Sequence, residues 1–172
     1  MKSVRLTVEE ATARAEALCA RAERCSHEIL TRLASWGLSS SQASSVIDSL
    51  VSRRYIDDAR FAAAFVRDKY RFARWGRRKI DLALRARRIP APIIREALLE
   101  IDPDLYSSQL VAVLRSKARA MGPEMTDTFD GRTRLFRHAA SRGFEPDLIS
   151  LLISSRAYLP DEADLSNDYD AD

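Results

Sequence analysis

The feature that most constrains the fold is an apolar pattern that occurs three times along the 172 residues. In each copy an apolar helix runs into a turn residue and an apolar anchor, and a second short apolar helix follows. The anchors Leu38, Ile89 and Phe144 lie 51 and 55 residues apart. Self-similarity at such a period is typical of repeat proteins, in which each copy is one small packed unit.

Each copy follows a longer predicted helix, so the pattern predicts three helix-helix-helix units at residues 8–55, 57–101 and 103–157. The chain has only five glycines and six prolines and no long alternating run of Val, Ile and Thr. Helix propensity therefore dominates over strand propensity. The predicted fold class is all-α, as an elongated, curved array of three tandem three-helix repeats.

Residues at the starts of the predicted helices support these boundaries. Thr7, three residues before a glutamate, fits a capping box, and Asp102-Pro103 supplies a cap followed by proline in the first turn. Asp57 and Asp58 precede the first helix of the second repeat, where carboxylates accept hydrogen bonds from free amides. Adjacent carboxylates could also hold a metal, but the capping role already explains this pair.

The chain offers little chemistry for catalysis. It has no phosphate-binding glycine-rich loop, no zinc-protease or nucleophile motif, and only two histidines, His27 and His138. Cys19 and Cys25 have no second pair, so we predict neither a disulfide framework nor a zinc site. Its first ten residues lack a signal-peptide pattern, and no eighteen apolar residues run together. We therefore expect a cytoplasmic protein that is not an enzyme and binds no cofactor or metal.

Charge is distributed unevenly along the chain. The segment 160–172 contains six acidic residues and no basic one, so residues 1–159 carry a net charge of +9 although the whole chain carries +3. We predict that this acidic tail is disordered and either serves solubility or folds back on the basic residues. Between Arg67 and Arg88, ten Lys or Arg residues face only Asp68 and Asp81.

A helix predicted from Asp58 to about Trp75 organises part of this charge, because successive helical residues advance by about 100°. Its apolar side consists of Phe61, Ala62, Phe65, Val66, Phe72 and Ala73. An opposite stripe consists of Arg60, Arg67, Arg71 and Arg74. Lys69 falls within the apolar sector, where its stem can run along apolar surface. Tyr70 and Trp75 either stack on bases or pack against the core, and the sequence leaves both readings open.

The stripe and the basic residues that follow it are either a solvated helix face or a surface for an anionic partner. Arginines that repel one another without acidic neighbours favour the second interpretation, since a phosphate or carboxylate partner relieves the repulsion. The candidate binding residues are Arg60, Arg67, Lys69, Arg71, Arg74, Arg77, Arg78, Lys79, Arg85, Arg87 and Arg88.

Two stretches of the chain resemble the RecX family of recombination regulators. One is Tyr55-Ile56-Asp57-Asp58-Ala59-Arg60-Phe61-Ala62, followed by Phe65-Val66 and Gly76-x-x-Lys79-Ile80-x-x-x-Leu84. The other begins at Arg24-Cys25-Ser26-His27-Glu28-Ile29-Leu30. Together they span residues 24–98, and the repeat pattern extends the match weakly to 157. The resemblance assigns mainly structural roles to Tyr55, Asp57, Asp58, Phe61, Phe65, Gly76, Ile80 and Leu84. The sequence departs from the family pattern at Arg88, where a glycine is usual, and the third repeat carries little of the signature.

The resemblance implies a protein that binds the RecA recombinase, chiefly as its filament on single-stranded DNA, and suppresses ATP hydrolysis, strand exchange and coprotease activity. We expect the protein to be a monomer. A protein that lies in the groove of this filament and bridges its protomers would exclude homologous DNA, and it could also cap filament growth. The basic residues and helical repeats are also compatible with a protein that binds DNA directly, or with a helical scaffold for an acidic protein. We expect any direct DNA binding to be weak, and no membrane association.

Overall fold

A computed structural model describes residues 5–159, and the acidic tail 160–172, with its predicted disorder and fold-back, lies outside them. Within the described residues the secondary structure is entirely helical, so the predicted all-α class is confirmed. The ten helices are α1 (Val8–Arg21), α2 (Ser26–Ser35), α3 (Ser40–Ser52), α4 (Asp58–Arg71), α5 (Arg77–Ala86), α6 (Ala91–Leu99), α7 (Pro103–Met121), α8 (Pro123–Thr126), α9 (Phe129–Ser141) and α10 (Pro146–Ser154). The short α8 was not predicted.

The helices form two compact units. Among the described residues, unit 1 consists of 5–68 with Asp81–Glu100, and unit 2 consists of Lys69–Ile80 with 101–159. The second predicted repeat contributes to both, because α4 and α5 each cross from one unit to the other. The repeat boundaries and the shape of the whole array stay predictions.

Unit 1 has a core of small and branched apolar side chains. The buried residues of α1 to α3, and of the turns after α2 and α3, form one cluster: Ala11, Ala15, Ile29, Leu33, Leu38, Ala43, Val46, Leu50 and Ile56. Five residues of the second predicted repeat are also buried in this unit: Phe61, Ala62, Val66, Leu84 and Ile89. The apolar side predicted for the start of α4 is therefore confirmed, as are the buried anchors Leu38 and Ile89.

Unit 2 has an aromatic core. Tyr106, Phe144 and Tyr158 are each only 1% exposed, and the Tyr106 and Phe144 rings lie 5.2 Å apart. Aliphatic residues of α7, α9 and α10 surround them, including Leu110, Leu114, Leu135 and Ile149. The third anchor, Phe144, is thus buried like the first two.

The predicted caps are present, and one joins two repeats. Thr7 forms a capping box at α1, and Asp102 accepts hydrogen bonds from two amides that open α7. Asp57 Oδ1 accepts from the Ala59 and Arg60 amides at 2.9 Å. Asp58 instead caps α2, because its Oδ1 accepts from the Ser26 amide at 2.8 Å. Asp57 therefore holds the start of the helix that follows it, as predicted, whereas Asp58 holds the start of α2 rather than that of its own helix.

The three anchors follow the same helix-ending turn. In each, the anchor amide donates to a carbonyl five residues earlier, which is a Schellman motif. The residue before the anchor adopts left-handed backbone: φ is +90° at Gly37 and at Gly143, and +57° at Arg88. This geometry accounts for the glycine that is usual at the Arg88 position, since glycine has no Cβ to clash there. Three other arginines, Arg54, Arg74 and Arg156, also have positive φ.

Helix α4 is shorter than predicted. It ends at Arg71 rather than near Trp75, and the chain turns with Arg74 at φ +53°. The Trp75 amide donates to the Lys69 carbonyl at 3.0 Å, which closes the turn. Consequently Arg74 does not continue the helical stripe. The placement of Phe72 on the apolar side was wrong, because its side chain is 81% exposed.

Candidate binding surface

The structure divides the predicted binding residues between the two units. The five in unit 1 are Arg60, Arg67, Arg85, Arg87 and Arg88. The six in unit 2 are Lys69, Arg71, Arg74, Arg77, Arg78 and Lys79. The two groups differ in what their charged ends contact.

In unit 1, two arginines of α4 pair with carboxylates distant in sequence. Arg60 Nε lies 2.6 Å from Glu23 Oε1, and Arg67 Nη1 lies 2.9 Å from Glu100 Oε2. The hydrogen bond with Glu23 raises the pKa of Arg60 further. Both side chains therefore have a carboxylate partner within unit 1.

Arg85, near the end of α5, and Arg87, just after that helix, form contacts within unit 1 in the same way. Arg85 pairs with Asp81 one turn earlier, at 2.6 Å. Arg87 donates to Glu28 at 3.0 Å, and its guanidinium lies 4.9 Å from the centroid of the Phe65 ring. Only Arg88 of this group forms no side-chain hydrogen bond or ion pair with the described residues.

In unit 2, the basic residues are concentrated in Lys69–Ile80, which we call the basic segment. It contains six Lys or Arg residues and no acidic one. The segment comprises the end of α4, the turn that follows, and the first turn of α5. Its residues differ in function, because some anchor the segment while others project outward.

Arg77 is the main side-chain anchor. Its amide donates to the Tyr106 hydroxyl at 3.0 Å, and its guanidinium lies 4.0 Å from the centroid of the Tyr106 ring. The Tyr106 hydroxyl in turn donates to Glu145 Oε2 at 2.6 Å. Burial, and then the bond with Glu145, hold the pKa of Tyr106 well above its usual range. The phenol therefore stays protonated, and its hydroxyl continues to donate a hydrogen bond to Glu145.

Gly76 anchors the backbone of the segment. Its amide donates to the Arg142 carbonyl at 2.8 Å, and the Arg78 amide donates to the Gly143 carbonyl at 3.0 Å. A Cβ on Gly76 would lie 2.3 Å from the Gly143 carbonyl atoms and 2.4 Å from the Phe144 amide nitrogen. The family-motif glycine thus allows direct contact between the turn after α4 and the turn after α9.

Tyr70, Trp75 and the two lysines belong to the packed part of the segment. The Tyr70 ring lies 6.3 Å from the Tyr106 ring. Lys69 Nζ and Lys79 Nζ lie 5.7 Å and 4.6 Å from the Trp75 ring centroid. The Tyr70 ring therefore packs within unit 2, and the Trp75 ring contacts the two lysines.

Four side chains of the basic segment point outward instead. Arg71, Arg74 and Arg78 are exposed, and their guanidinium groups form no hydrogen bond or ion pair with residues 5–159. Phe72, which lies between Arg71 and Arg74 in sequence, has an exposed ring. The helical wheel missed this ring, because it treated Phe72 as core, and no sequence signal marks the end of α4.

Metal ligands, reactive thiols and membrane-spanning helices would each indicate another kind of function for the described residues. No group of three or more His, Cys, Asp or Glu residues within 5–159 is arranged to hold a metal. Burial is the main cause that raises the pKa of both the Cys19 and Cys25 thiols, so both are protonated at neutral pH. No helix of the described part is long and apolar enough to cross a bilayer.

Comparison with known proteins identifies the family. Residues 57–98 match the model of the RecX second three-helix domain. Regulatory protein RecX of Chromohalobacter salexigens is 32% identical over 142 residues, which cover 81% of this chain and 90% of that protein. The chain belongs to the RecX family. The family model covers the part of the chain that contains the basic segment.

Other RecX proteins add to the comparison. Regulatory protein RecX of Lactobacillus johnsonii is 25% identical over 130 residues, and the chain spans about half of its length, 47%. The crystal structure of RecX from Lactobacillus salivarius has a TM-score of 0.77 and 20% identity, and the match covers 88% of this chain and 97% of that chain. The latter supports the helical fold found here.

Proposed function

We propose that this chain regulates the RecA recombinase by binding its filament on single-stranded DNA, and that binding inhibits ATP hydrolysis, strand exchange and coprotease activity. Membership of the RecX family supports this proposal, because the relatives that the chain matches are regulatory proteins and the family motif of this sequence implies the recombinase as partner.

The observation that carries the proposal is the unpaired charge of the basic segment. Arg71, Arg74 and Arg78 repel one another and have no carboxylate partner within the described residues. An anionic surface would relieve that repulsion, and a guanidinium forms bidentate hydrogen bonds with phosphate or carboxylate. A nucleoprotein filament offers both groups. The protein therefore acts by binding, without a reaction of its own.

A titration of the single-stranded-DNA-dependent ATPase of RecA tests the proposal. We expect the wild-type chain to inhibit hydrolysis at moderate salt. Loss of activity well below one molecule per protomer would indicate that each bound molecule affects several protomers. An unchanged ATPase rate, with filaments formed and the added protein folded, would reject the proposed function.

Two triple variants locate the surface. Arg71→Ala/Arg74→Ala/Arg78→Ala removes three unpaired charges, and we expect it to need at least about tenfold more protein for the same inhibition. The control Arg60→Ala/Arg67→Ala/Arg85→Ala removes three carboxylate-paired charges. It changes net charge equally, so an equal loss in both variants would show that total charge, rather than the basic segment, determines binding.

A further inference from the structure

We infer that the basic segment binds single-stranded nucleic acid, with Phe72 stacking on an unpaired base while Arg71, Arg74 and Arg78 contact flanking phosphates. This inference rests on the proposed function and deepens it, because it assigns the segment to the DNA strand of the filament rather than to the recombinase. The ring and the three guanidinium groups are independent observations on one short stretch of unit 2.

The exposure of Phe72 has no explanation in the fold. Its side chain is 81% exposed, so it adds little to the apolar surface that unit 2 buries. Isolated exposed apolar residues are common on protein surfaces, so exposure alone indicates nothing. The position of the ring among unpaired arginines is what distinguishes it.

Phe129 provides an internal comparison. It is also 81% exposed and lies in unit 2, at the start of α9. Its neighbours Asp127 and Asp130 pair with Arg156 and Arg134, whereas Phe72 lies in sequence between Arg71 and Arg74, which have no carboxylate partner within residues 5–159. A phosphate strand gains less from charges that are already neutralised in pairs than from unpaired arginines. The same ring therefore predicts nucleic-acid contact at residue 72 and none at residue 129.

The combination of ring and arginines fits single strands better than other anions. A carboxylate surface satisfies the guanidinium groups but gives no role to a flat exposed ring. An unpaired base supplies an aromatic face beside each phosphate, and such stacking is largely independent of base identity. Bases of a duplex are already stacked and paired, so they present no free face. Because the Tyr70 and Trp75 rings have partners in unit 2, Phe72 is the ring of the segment best placed to stack.

Binding to two oligonucleotides tests this assignment. Fluorescence anisotropy compares a single-stranded thymidine oligonucleotide with an abasic strand of the same length, which retains the phosphates and lacks the bases. We expect wild type to prefer the thymidine strand, and Phe72→Leu to lose about tenfold affinity for it. On the abasic strand Phe72→Leu and wild type should bind equally. Phe72→Tyr, which retains the aromatic face, should restore the preference.

The matched control and the salt dependence separate stacking from charge. Phe129→Leu should bind both strands like wild type. Replacing Arg71, Arg74 and Arg78 by alanine should reduce the log-log salt slope by about 2, at roughly 0.7 per phosphate contact on a single strand. Phe72→Leu should leave that slope unchanged.

Three outcomes would overturn the inference. If wild type binds the thymidine and abasic strands equally and Phe72→Leu changes neither affinity, the segment would contact phosphates without stacking on bases. Relief of ATPase inhibition by Phe72→Leu in a protein without affinity for either strand would place the ring against the recombinase. If Phe72→Leu inhibits the ATPase as strongly as wild type, and inhibition does not follow affinity for DNA, the proposed function would stand but Phe72 would not belong to a nucleic-acid site.

Discussion

Arg67 and Arg71 are one helical turn apart on α4, yet their charged groups have different surroundings. Arg67 lies in unit 1 and pairs with Glu100 at 2.9 Å. Arg71 lies in unit 2, in a twelve-residue segment without a single acidic residue. The same contrast separates the carboxylate-paired arginines of unit 1 from the outward-pointing arginines of the basic segment.

The contrast shows that charge density along the chain does not by itself identify a binding surface. A carboxylate-paired arginine must break an existing interaction before it contacts an anion, whereas an unpaired arginine loses only solvent. Of the eleven predicted binding residues, Arg71, Arg74 and Arg78 best satisfy this criterion in unit 2. Arg88 does so in unit 1.

The largest expected effect comes from breaking the backbone contact that holds the basic segment. In Gly76→Ala the new Cβ would lie 2.3 Å from backbone atoms of Gly143, which have no free rotation to move aside. We expect a loss of about 3 kcal/mol in the unfolding free energy, measured by urea denaturation. Hydrogen exchange should show lost protection in unit 2 first.

Gly122→Ala is the control for this substitution. Its Cβ meets no atom within 4 Å, but φ is +85° and ψ is 157°, a backbone conformation that is almost confined to glycine, so strain without any steric clash should cost about 1 to 3 kcal/mol. A Gly76→Ala variant as stable as wild type would mean that the turn after α4 does not depend on its contact with Gly143.

A smaller effect should follow from removing the hydroxyl that links Arg77 to Glu145. Tyr106→Phe leaves the Arg77 amide and the Glu145 carboxylate without that partner, which costs about 1 to 3 kcal/mol. Because the pKa of Tyr106 is raised in the folded protein, its contribution is present below pH 10, the ordinary phenol value, and decreases as the pH rises further.

The pH dependence separates this role from simple packing. Denaturation between pH 8 and about pH 11 should show a steeper alkaline loss of stability in wild type than in Tyr106→Phe. Parallel curves for the two proteins would indicate that the hydroxyl contributes no proton-linked stability.

The smallest effect concerns single arginines and sharpens the comparison directly. Arg60→Ala removes an exposed ion pair with Glu23, so it should destabilise unit 1 by less than about 1 kcal/mol, and less at high salt. Arg71→Ala removes no ion pair. It relieves repulsion within the basic segment but also removes a favourable charge from the last turn of α4, and because these effects oppose each other stability should change less than in Arg60→Ala. A loss of stability in Arg71→Ala as large as that in Arg60→Ala would show that Arg71 has an interaction partner in the folded protein. That result would contradict the difference between paired and unpaired arginines.

Much of the fold could be predicted from the sequence, because its signals are local. Caps such as Thr7 and Asp102, and the anchors Leu38, Ile89 and Phe144, depend on residues within one helix or turn. The helical class, the family and the capping role of Asp57 followed from these patterns.

The candidate site could be predicted only in part, because the contacts that define it are distant in sequence. Arg60 and Glu23 are 37 residues apart, and Arg87 and Glu28 are 59 apart, so a helical wheel cannot distinguish paired from unpaired arginines. The end of α4 was missed because neither glycine nor proline marks it. The turn instead uses Arg74 in a left-handed conformation, which placed Phe72 outside the core.

The four arginines with positive φ, at residues 54, 74, 88 and 156, have a consequence for how this sequence can change. Every arginine codon becomes a glycine codon by one nucleotide substitution, and glycine is the residue that this backbone conformation favours. Each such substitution relieves local strain and removes a positive charge close to a helix end, where that charge is electrostatically favourable. A single nucleotide change at any of these four positions therefore gains a relaxed backbone and loses a positive charge at a helix end.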